Sequence, residues 1–571
     1  MAERPSAHTA HTIVYHTLRA RIPNLRRCLL TRARRGAGVL FAIAVAAMLT
    51  ACSGYEFTPG APSTYLSNTA VADAPASRPL VGVAISGGGN RSALFASYVL
   101  ELLGSLPVAA PAGTDSAGQP ISFLDTVDHI SSVSGGSFAA SYFSMKGIGH
   151  YSEMLTGSTI PTPYAQFFDD FHQQMNFNWE AALFGFKIVM LGSNADGLAR
   201  AIDTQYLHGA TFADLDKREA SGASPYLILN ATHYDTGRRF VMTTIPSAAF
   251  CLNTEKFLLD VVYAPTGQTE HVDDMHEAQL SKCDRSDALT PEGFDNFWNP
   301  RQQSVPSADM PLARAVATSG AFPLVVGPIA YRVSGDHELL HLIDGGVADN
   351  SGIESLSQLF LRDLLKTRSH RDLIISLDAS LPFNAYGATI AGDKSPLSAF
   401  IDDPTRVSDI QEVRASLYRQ DLWNVTTYAA RTMKRSSSAI TRLDIVGLKP
   451  DDLNVSSLRI DTPECHAHYD DKKAVTTAAR DIPTRYHLDA CDAQLVRIAA
   501  CWSVHQHAQQ IQQFFDARAG NGRRTSGGYG QDEETSGRNA DGGPNGDRAS
   551  TGMLESRIKQ MCPELVADHA L

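Results

Sequence analysis

The stretch His129-Ile130-Ser131-Ser132-Val133-Ser134-Gly135-Gly136-Ser137-Phe138-Ala139-Ala140 decides how the chain folds. A β-branched run leads to a serine among small residues, then to a segment able to continue as a helix. This is the layout of a nucleophile elbow, where a serine on a sharp strand-to-helix turn exposes its hydroxyl. Small neighbours are required because the turn is strained and the strand and helix approach closely. The usual pattern is G-x-S-x-G; here Ser132 stands at the first glycine position and Gly136 at the second. A Ser-Gly pair taken alone is more often a plain turn, so its surroundings carry the reading.

Upstream, Leu80 to Ser86 is an apolar run suited to a buried parallel strand. Gly87-Gly88-Gly89-Asn90-Arg91 follows, and Leu94, Phe95, Tyr98, Val99 and Leu102 then recur at helical spacing. Strand, glycine turn and helix together aim backbone N–H groups at an anion. The dinucleotide fingerprint fails because Ser92 replaces its last glycine, and the P-loop fails for lack of G-K-[ST]. Ahead of a serine elbow, the glycine turn becomes a candidate oxyanion hole. Downstream, Pro225 to Thr232 reads as a buried strand, turned by Tyr234-Asp235-Thr236-Gly237 into a hairpin with Arg239 to Met242. Pro311 to Ser319 reads as a short helix. Leu339 to Ile343 is strand-like and ends in Asp344-Gly345-Gly346, a carboxylate where open α/β sheets place functional groups, or a simple Asp-Gly turn. A helix over Ile353 to Leu365 and a strand over Asp372 to Asp378 complete an α/β domain with a largely parallel sheet. The aromatic-rich stretch from Tyr164 to Leu191 is expected to pack in the core, with a lid or lipid-facing cap as the alternative for part of it.

The ends of the chain read differently. Arg26, Arg27, Arg32, Arg34 and Arg35 precede a short apolar run, Gly36 to Met48, and then Leu49-Thr50-Ala51-Cys52. This is the layout of a secretory signal, too short for a stable span. The last four residues resemble a bacterial lipobox, which implies cleavage before Cys52 and a lipid on its sulfur; an uncleaved membrane anchor is the alternative. Ser53 after Cys52 resembles lipoproteins sent to the outer membrane. Removing residues 1–51, with eight arginines and one acid, changes the net charge from −12 to −19 (41 basic against 60 acidic residues). Nothing there attracts nucleic acid, and hold on an anionic membrane rests on the lipid anchor. Six cysteines remain after Cys28 and Cys52 are set aside, an even number that suggests disulfides in an exported chain. Cys251 with Cys283 is the pairing expected, since both sit in one irregular insertion. No C-x-x-C or H-E-x-x-H spacing points to zinc. The expected organisation is a signal peptide over 1–51, a flexible tether over 52–79, the α/β domain over 80–385, and a helical region over 386–517 including Val407 to Met433 and Ala493 to Ala517. A disordered segment over 518–552 and a tail helix over 553–571 follow.

Gly87-Gly88-Gly89-x-Arg91, Ser132-x-Ser134-x-Gly136 and Asp344-Gly345-Gly346 occur in that order. Together they resemble the patatin-like phospholipase family, including its bacterial lipoprotein-type members. The neighbourhoods of Asn230-Ala231-Thr232 and of Thr318 to Pro323 resemble the family too, so the likeness covers roughly Leu80 to Ala379. It implies a three-layer α/β domain with a helical C-terminal extension, and a serine acyl-ester hydrolase acting on membrane lipids as a phospholipase A or lysophospholipase. No metal or cofactor is implied; the partners are the acyl-lipid substrate and the membrane. Ser134 would be the nucleophile, Asp344 its base, and Gly87, Gly88 and Gly89 the oxyanion hole. Arg91 would support that loop or receive a phosphate head group, unless it is a helix-surface arginine; Gly136, Gly345 and Gly346 would lend support. An exposed aspartate is a poor base, and burial would raise its pKa towards usefulness. Two other readings stand beside this one. A Ser-Asp-His esterase would use His505 or His507, and a catalytically idle, lipid-anchored protein would bind lipid or a partner on the same scaffold.

Overall fold

The computed structural model describes residues 79–380 with breaks at 112–116, 157–159, 185–193, 246–248, 251–293, 297–308, 324–325, 334–338 and 367–371. It also describes 55–57, 443–448, 453–519 and 552–567. The signal peptide, Cys52, the helix over Val407 to Met433, the segment 520–551 and the pair Cys251 and Cys283 lie outside the described residues.

The main sheet is mixed. Its strands are β1 (Tyr55–Phe57), β2 (Val81–Ile85), β5 (His129–Val133), β6 (Tyr226–His233), β7 (Arg239–Thr243), β8 (Phe294–Asn296), β9 (Ile329–Val333), β10 (Leu340–Asp344), β11 (Asp372–Leu377) and β12 (Leu443–Leu448). A small pair, β3 (Pro107–Ala109) and β4 (Pro120–Ser122), stands apart. The centre, in the order β6-β5-β2-β11-β12, is parallel throughout. β2, β5 and β11 are buried along their whole length, which is why they read as unbroken apolar or small-residue runs rather than alternating ones. β7, β9 and β10 add antiparallel pairs, so the sheet is largely rather than wholly parallel.

Helices cover the sheet: α1 (Gly89–Gly104), α2 (Gly135–Lys146), α3 (Thr162–Met175), α4 (Trp179–Phe184), α5 (Asn194–Ile202), α6 (Phe212–Ala220), α7 (Leu312–Ser319), α8 (Gly346–Asp349) and α9 (Ile353–Lys366). Two apolar clusters form. The larger includes Val83, Leu94, Phe95, Phe138 and Leu229, and the smaller packs Leu356, Leu359 and Phe360 of α9 against Ala84, Ile228 and Ile374. Phe168, Phe171, Met175 and Trp179 are fully buried in the larger, so the described part of the aromatic stretch is core rather than lid. Among the described residues, no helix is long and apolar enough to cross a membrane.

Two features of the fold have no visible pattern in the sequence. Within the stretch expected to be a flexible tether, Tyr55–Phe57 pairs in parallel with β9. Tyr55 lies edge-on to Tyr331 at 6.1 Å, under the Arg314 guanidinium. A three-residue strand is too short to show its alternation in a sequence. The C-terminal region is helical but also contributes strands: β12 extends the main sheet beside β11, and β13 (Leu458–Asp461) pairs with β14 (His466–Tyr469). Its helices are α10 (Lys472–Asp481), α11 (Ala490–Ala519), α12 (Gly552–Met561) and α13 (Pro563–Ala567). α11 shares the larger core, with Phe515 against Phe123, and α12 is tied to α1 through Arg557 and the buried Glu101. Disulfides join Cys465 to Cys491 and Cys501 to Cys562.

Candidate active site

Strand register brings the two candidate residues together. β6 has only two edges. Along one it pairs with β7, as in Asn230 with Val241 and Ala231 with Phe240. Along the other it pairs first with β5, ending at Val133 opposite Asn230, then with β10, ending at Asp344 opposite Ala231. β5 runs parallel to β6 and β10 antiparallel, so their C-terminal ends meet head to head on adjacent β6 residues. Ser134 follows the first strand and Asp344 closes the second. Residues 210 apart in sequence are thereby placed side by side, and Ser134 Oγ donates to Asp344 Oδ2 at 2.7 Å.

The elbow has the expected strain. Ser134 has φ 51° and ψ −123°, one of two non-glycine residues with positive φ among those described. Such a conformation costs on the order of 1–3 kcal/mol and persists only where its surroundings enforce it. They do so through a serine relay. Ser134 N–H donates to Ser319 Oγ at 3.0 Å, and Ser319 Oγ donates to Asn230 O at 2.6 Å. With its own proton so placed, Ser319 accepts from Ser137 Oγ at 2.8 Å, and Ser137 in turn meets Ser132 Oγ at 3.0 Å. Ser132 is therefore more than a tolerated substitute for glycine. Its hydroxyl closes the relay from within β5.

Asp344 is 3% exposed. Its Oδ1 accepts from Gly346 N–H at 2.7 Å, and its backbone is held by Ala321 O and Thr232 Oγ1. Burial pushes its carboxyl up to about 6, against the opposing pull of the Ser134 and Gly346 hydrogen bonds. Among the described residues, both carboxylate oxygens are engaged by these donors and neither by an imidazole. His507 is bonded through Nδ1 to Ser503 O of its own helix, and His505 lies on that helix too. Among the described residues, the arrangement is a direct contact between Ser134 and Asp344.

The glycine turn departs from expectation in one respect. Gly87 N–H donates to Asn350 O at 2.8 Å and so is not free to face an oxyanion. Its need for glycine is steric, because a Cβ there would collide with Asn350 Oδ1. Gly88 (φ 142°) and Gly89 (φ 60°) begin α1, where N–H groups have no intrahelical acceptor. Gly135, the first residue of α2, is in the same position and was not singled out in the sequence. Its Cα faces Gly89 O so closely that a Cβ would overlap it. Two helix N-termini thus converge on Ser134, each favouring negative charge. Gly136 lets α2 approach β2, since a Cβ would stand 2.6 Å from Ser86 O and 2.7 Å from Ile85 Cγ2. Gly345 sits against Asn230 O, and a Cβ on Gly346 would be 2.8 Å from Asn350 Oδ1.

Arg91 is only 2% exposed, which excludes the helix-surface role. Its Nε donates to Ala379 O at 2.8 Å, Nη1 to Ile482 O and Nη2 to Thr484 Oγ1 at 3.3 Å. The guanidinium is committed to fixing the turn against β11 and the C-terminal region, and does not stand open to a phosphate.

Replacing Gly135 by alanine is expected to destabilise the protein by about 2 kcal/mol, because overpacking must part the elbow from the glycine turn. Gly552→Ala, with nothing near its Cβ position, is expected to stay within about 0.5 kcal/mol of the parent. Urea unfolding midpoints of the two variants test this. Equal midpoints would contradict the close approach.

A largely parallel sheet between helix layers, with a serine on a strained turn against a buried strand-end aspartate, defines a three-layer α/β fold with its candidate site at the strand ends. Residues 83–357 match the family model described as patatin-like phospholipase, and this segment is a patatin-like phospholipase domain. Among solved structures, the chain is similar to human GIVD cytosolic phospholipase A2, with 13% identity over 77% of this chain and 62% of that one (TM-score 0.31). The same human enzyme in complex with methyl gamma-linolenyl fluorophosphonate inhibitor and terbium chloride aligns at 12% identity over 78% and 60% (TM-score 0.30). VipD from Legionella pneumophila aligns at 13% identity over 78% and 77% (TM-score 0.23). The chain thus spans about three-fifths of the length of the human enzyme. No curated protein sequence matches it.

Proposed function

We propose that the protein is a serine acyl-ester hydrolase of the phospholipase A or lysophospholipase type, acting on membrane lipids through Ser134 and Asp344. The observation that carries this reading is the 2.7 Å hydrogen bond from Ser134 Oγ, on its strained turn, to the buried Asp344 carboxylate. As Ser134 Oγ attacks the acyl carbonyl carbon, its proton passes to Asp344 Oδ2 and the carbonyl π pair moves onto oxygen. The N–H groups of Gly88, Gly89 and Gly135, with the two helix termini behind them, are the donors available to that oxyanion. One such donor is commonly worth about 10²–10³ in rate. Collapse of the intermediate breaks the ester C–O bond. Asp344 returns the proton to the departing alcohol, leaving the acyl group on Ser134. A water then gives its proton to Asp344, attacks the acyl carbon and releases the fatty acid, and Ser134 recovers its proton.

The N-terminal sequence supports a place of action at a membrane. Cleavage before Cys52 and lipidation of its sulfur would hold the enzyme on a bacterial envelope membrane, with Ser53 favouring the outer one. Its anionic mature chain adds no attraction of its own to anionic lipid.

Asp344 acts as a base only when ionised, and burial raises its pKa. Fatty-acid release from mixed phospholipid–detergent micelles is therefore expected to show kcat/KM rising with pH to a plateau, with a midpoint of about 6. Below that midpoint the rate should fall about tenfold per pH unit. A rate independent of pH between 5 and 8, or no release of fatty acid at all, would refute the assignment.

A further inference from the structure

The link between α10 and α11 is not a loose surface connection. Its buried ends are Ile482 and Leu488, and its backbone runs directly over the glycine turn. Ile482 O and Thr484 Oγ1 accept from Arg91. Arg485 O accepts from Asn90 N–H at 2.7 Å, and the Arg485 backbone fills the space where a Gly89 side chain would stand. Tyr486 spans to the other side of the site. Its hydroxyl donates to Gly320 O at 2.8 Å, next to the Ser319 that holds Ser134 N–H, while its carbonyl accepts from Trp179 N–H at 3.1 Å. Burial keeps the Tyr486 phenol protonated, and the Asp344 charge pushes the same way. The Cys465–Cys491 disulfide closes a loop that contains this link, limiting how far it can lift.

We propose that residues 482–488 form a strap that sets the geometry of the hydrolytic site, with Tyr486 as a positioning residue. The proposal rests on the Ser134/Asp344 reading above. The strap lies outside the 83–357 segment that matches the family. It fixes the two pieces of backbone whose displacement matters most: the turn bearing the Gly88 and Gly89 N–H groups, and the Ser319–Gly320 loop that enforces the elbow. A shift of about 1 Å at such a site can cost on the order of 10² in rate without any change in substrate contacts. Tyr486 acts through Gly320, which its hydroxyl holds, and through the neighbouring Ser319.

The test compares the full mature chain with Tyr486→Phe and Thr484→Val, using p-nitrophenyl butyrate hydrolysis and the rate of fluorophosphonate labelling. Tyr486→Phe is expected to lower kcat about tenfold with KM held within about twofold, and to slow labelling equally. Thr484→Val, on the exposed side, is expected to give about a threefold fall in both. It decides the question should Tyr486→Phe fail to fold. Parent-like kcat and labelling in a folded variant, or a loss matched entirely by the unfolded fraction in circular dichroism, would overturn the strap while leaving the dyad in place. A parent protein that neither labels nor hydrolyses would overturn both.

Discussion

Ser134→Ala is expected to abolish acyl-ester hydrolysis, with a fall of roughly 10⁴-fold or more, in a protein that still folds. Two effects act on its stability. Alanine at φ 51° keeps a Cβ and therefore keeps the strain. The buried Asp344 carboxylate also loses the hydroxyl that donates to Oδ2, an interaction with a charged group worth about 1.5–3 kcal/mol. Ser134→Ala should accordingly be less stable than the parent at pH 8. Ser134→Gly, equally inactive, should recover about 1 kcal/mol of that loss by removing the strain. Urea unfolding at pH 8 with parallel ester assays measures both. An alanine variant more stable than the parent would mean that the Ser134–Asp344 contact is not stabilising.

Asp344→Asn is expected to be as damaging to activity, about 10³-fold or more, yet to stabilise the fold in alkaline solution. The folded-state pKa of Asp344 is raised by burial from 3.8 to about 6. Below pH 3.8 the carboxyl is protonated in both folded and unfolded chains and carries no penalty. As pH rises from there through about 6, the unfolded chain ionises first, and stability falls. Above that window the cost of holding the carboxylate ionised in its buried site reaches about 3 kcal/mol. The neutral amide escapes this cost. Its oxygen can accept from Gly346 N–H and its NH₂ can donate to Ser134 Oγ, the hydroxyl reversing its role. The stability gain of Asp344→Asn should thus be near zero at pH 4 and largest above pH 7. A gain that shrinks with rising pH would contradict the buried, raised-pKa aspartate.

These two effects could be foreseen because the relevant residues announce themselves locally. The buried strands at Val81–Ile85 and Asp372–Leu377 are apolar runs bounded by turn residues, and the elbow is a serine hemmed in by glycine. Ser134 and Asp344 stand out for the same reason, each on a short motif at a strand end. What the sequence could not supply is how distant strands share an edge. The meeting of β5 and β10 on β6 depends on register between segments more than 90 residues apart. Ser319 and Ser137 look like ordinary small helix residues until the fold aligns their hydroxyls. Gly87 and Gly135 could be ranked only once the backbone showed which N–H was already bonded and which Cα had no room. The strap is the extreme case: Arg485 contributes a carbonyl, and backbone carbonyls carry no sequence signature.

Activity-based labelling reports directly whether Ser134 is the nucleophile that Asp344 activates. The oxidised mature protein would be treated with a fluorophosphonate and digested, and the modified peptide identified by mass spectrometry in the parent, Ser134→Ala and Asp344→Asn. A single adduct on Ser134 is expected in the parent, none in Ser134→Ala, and at most a trace in Asp344→Asn. An adduct on another serine, or one forming on Ser134 as fast in Asp344→Asn as in the parent, would contradict this assignment.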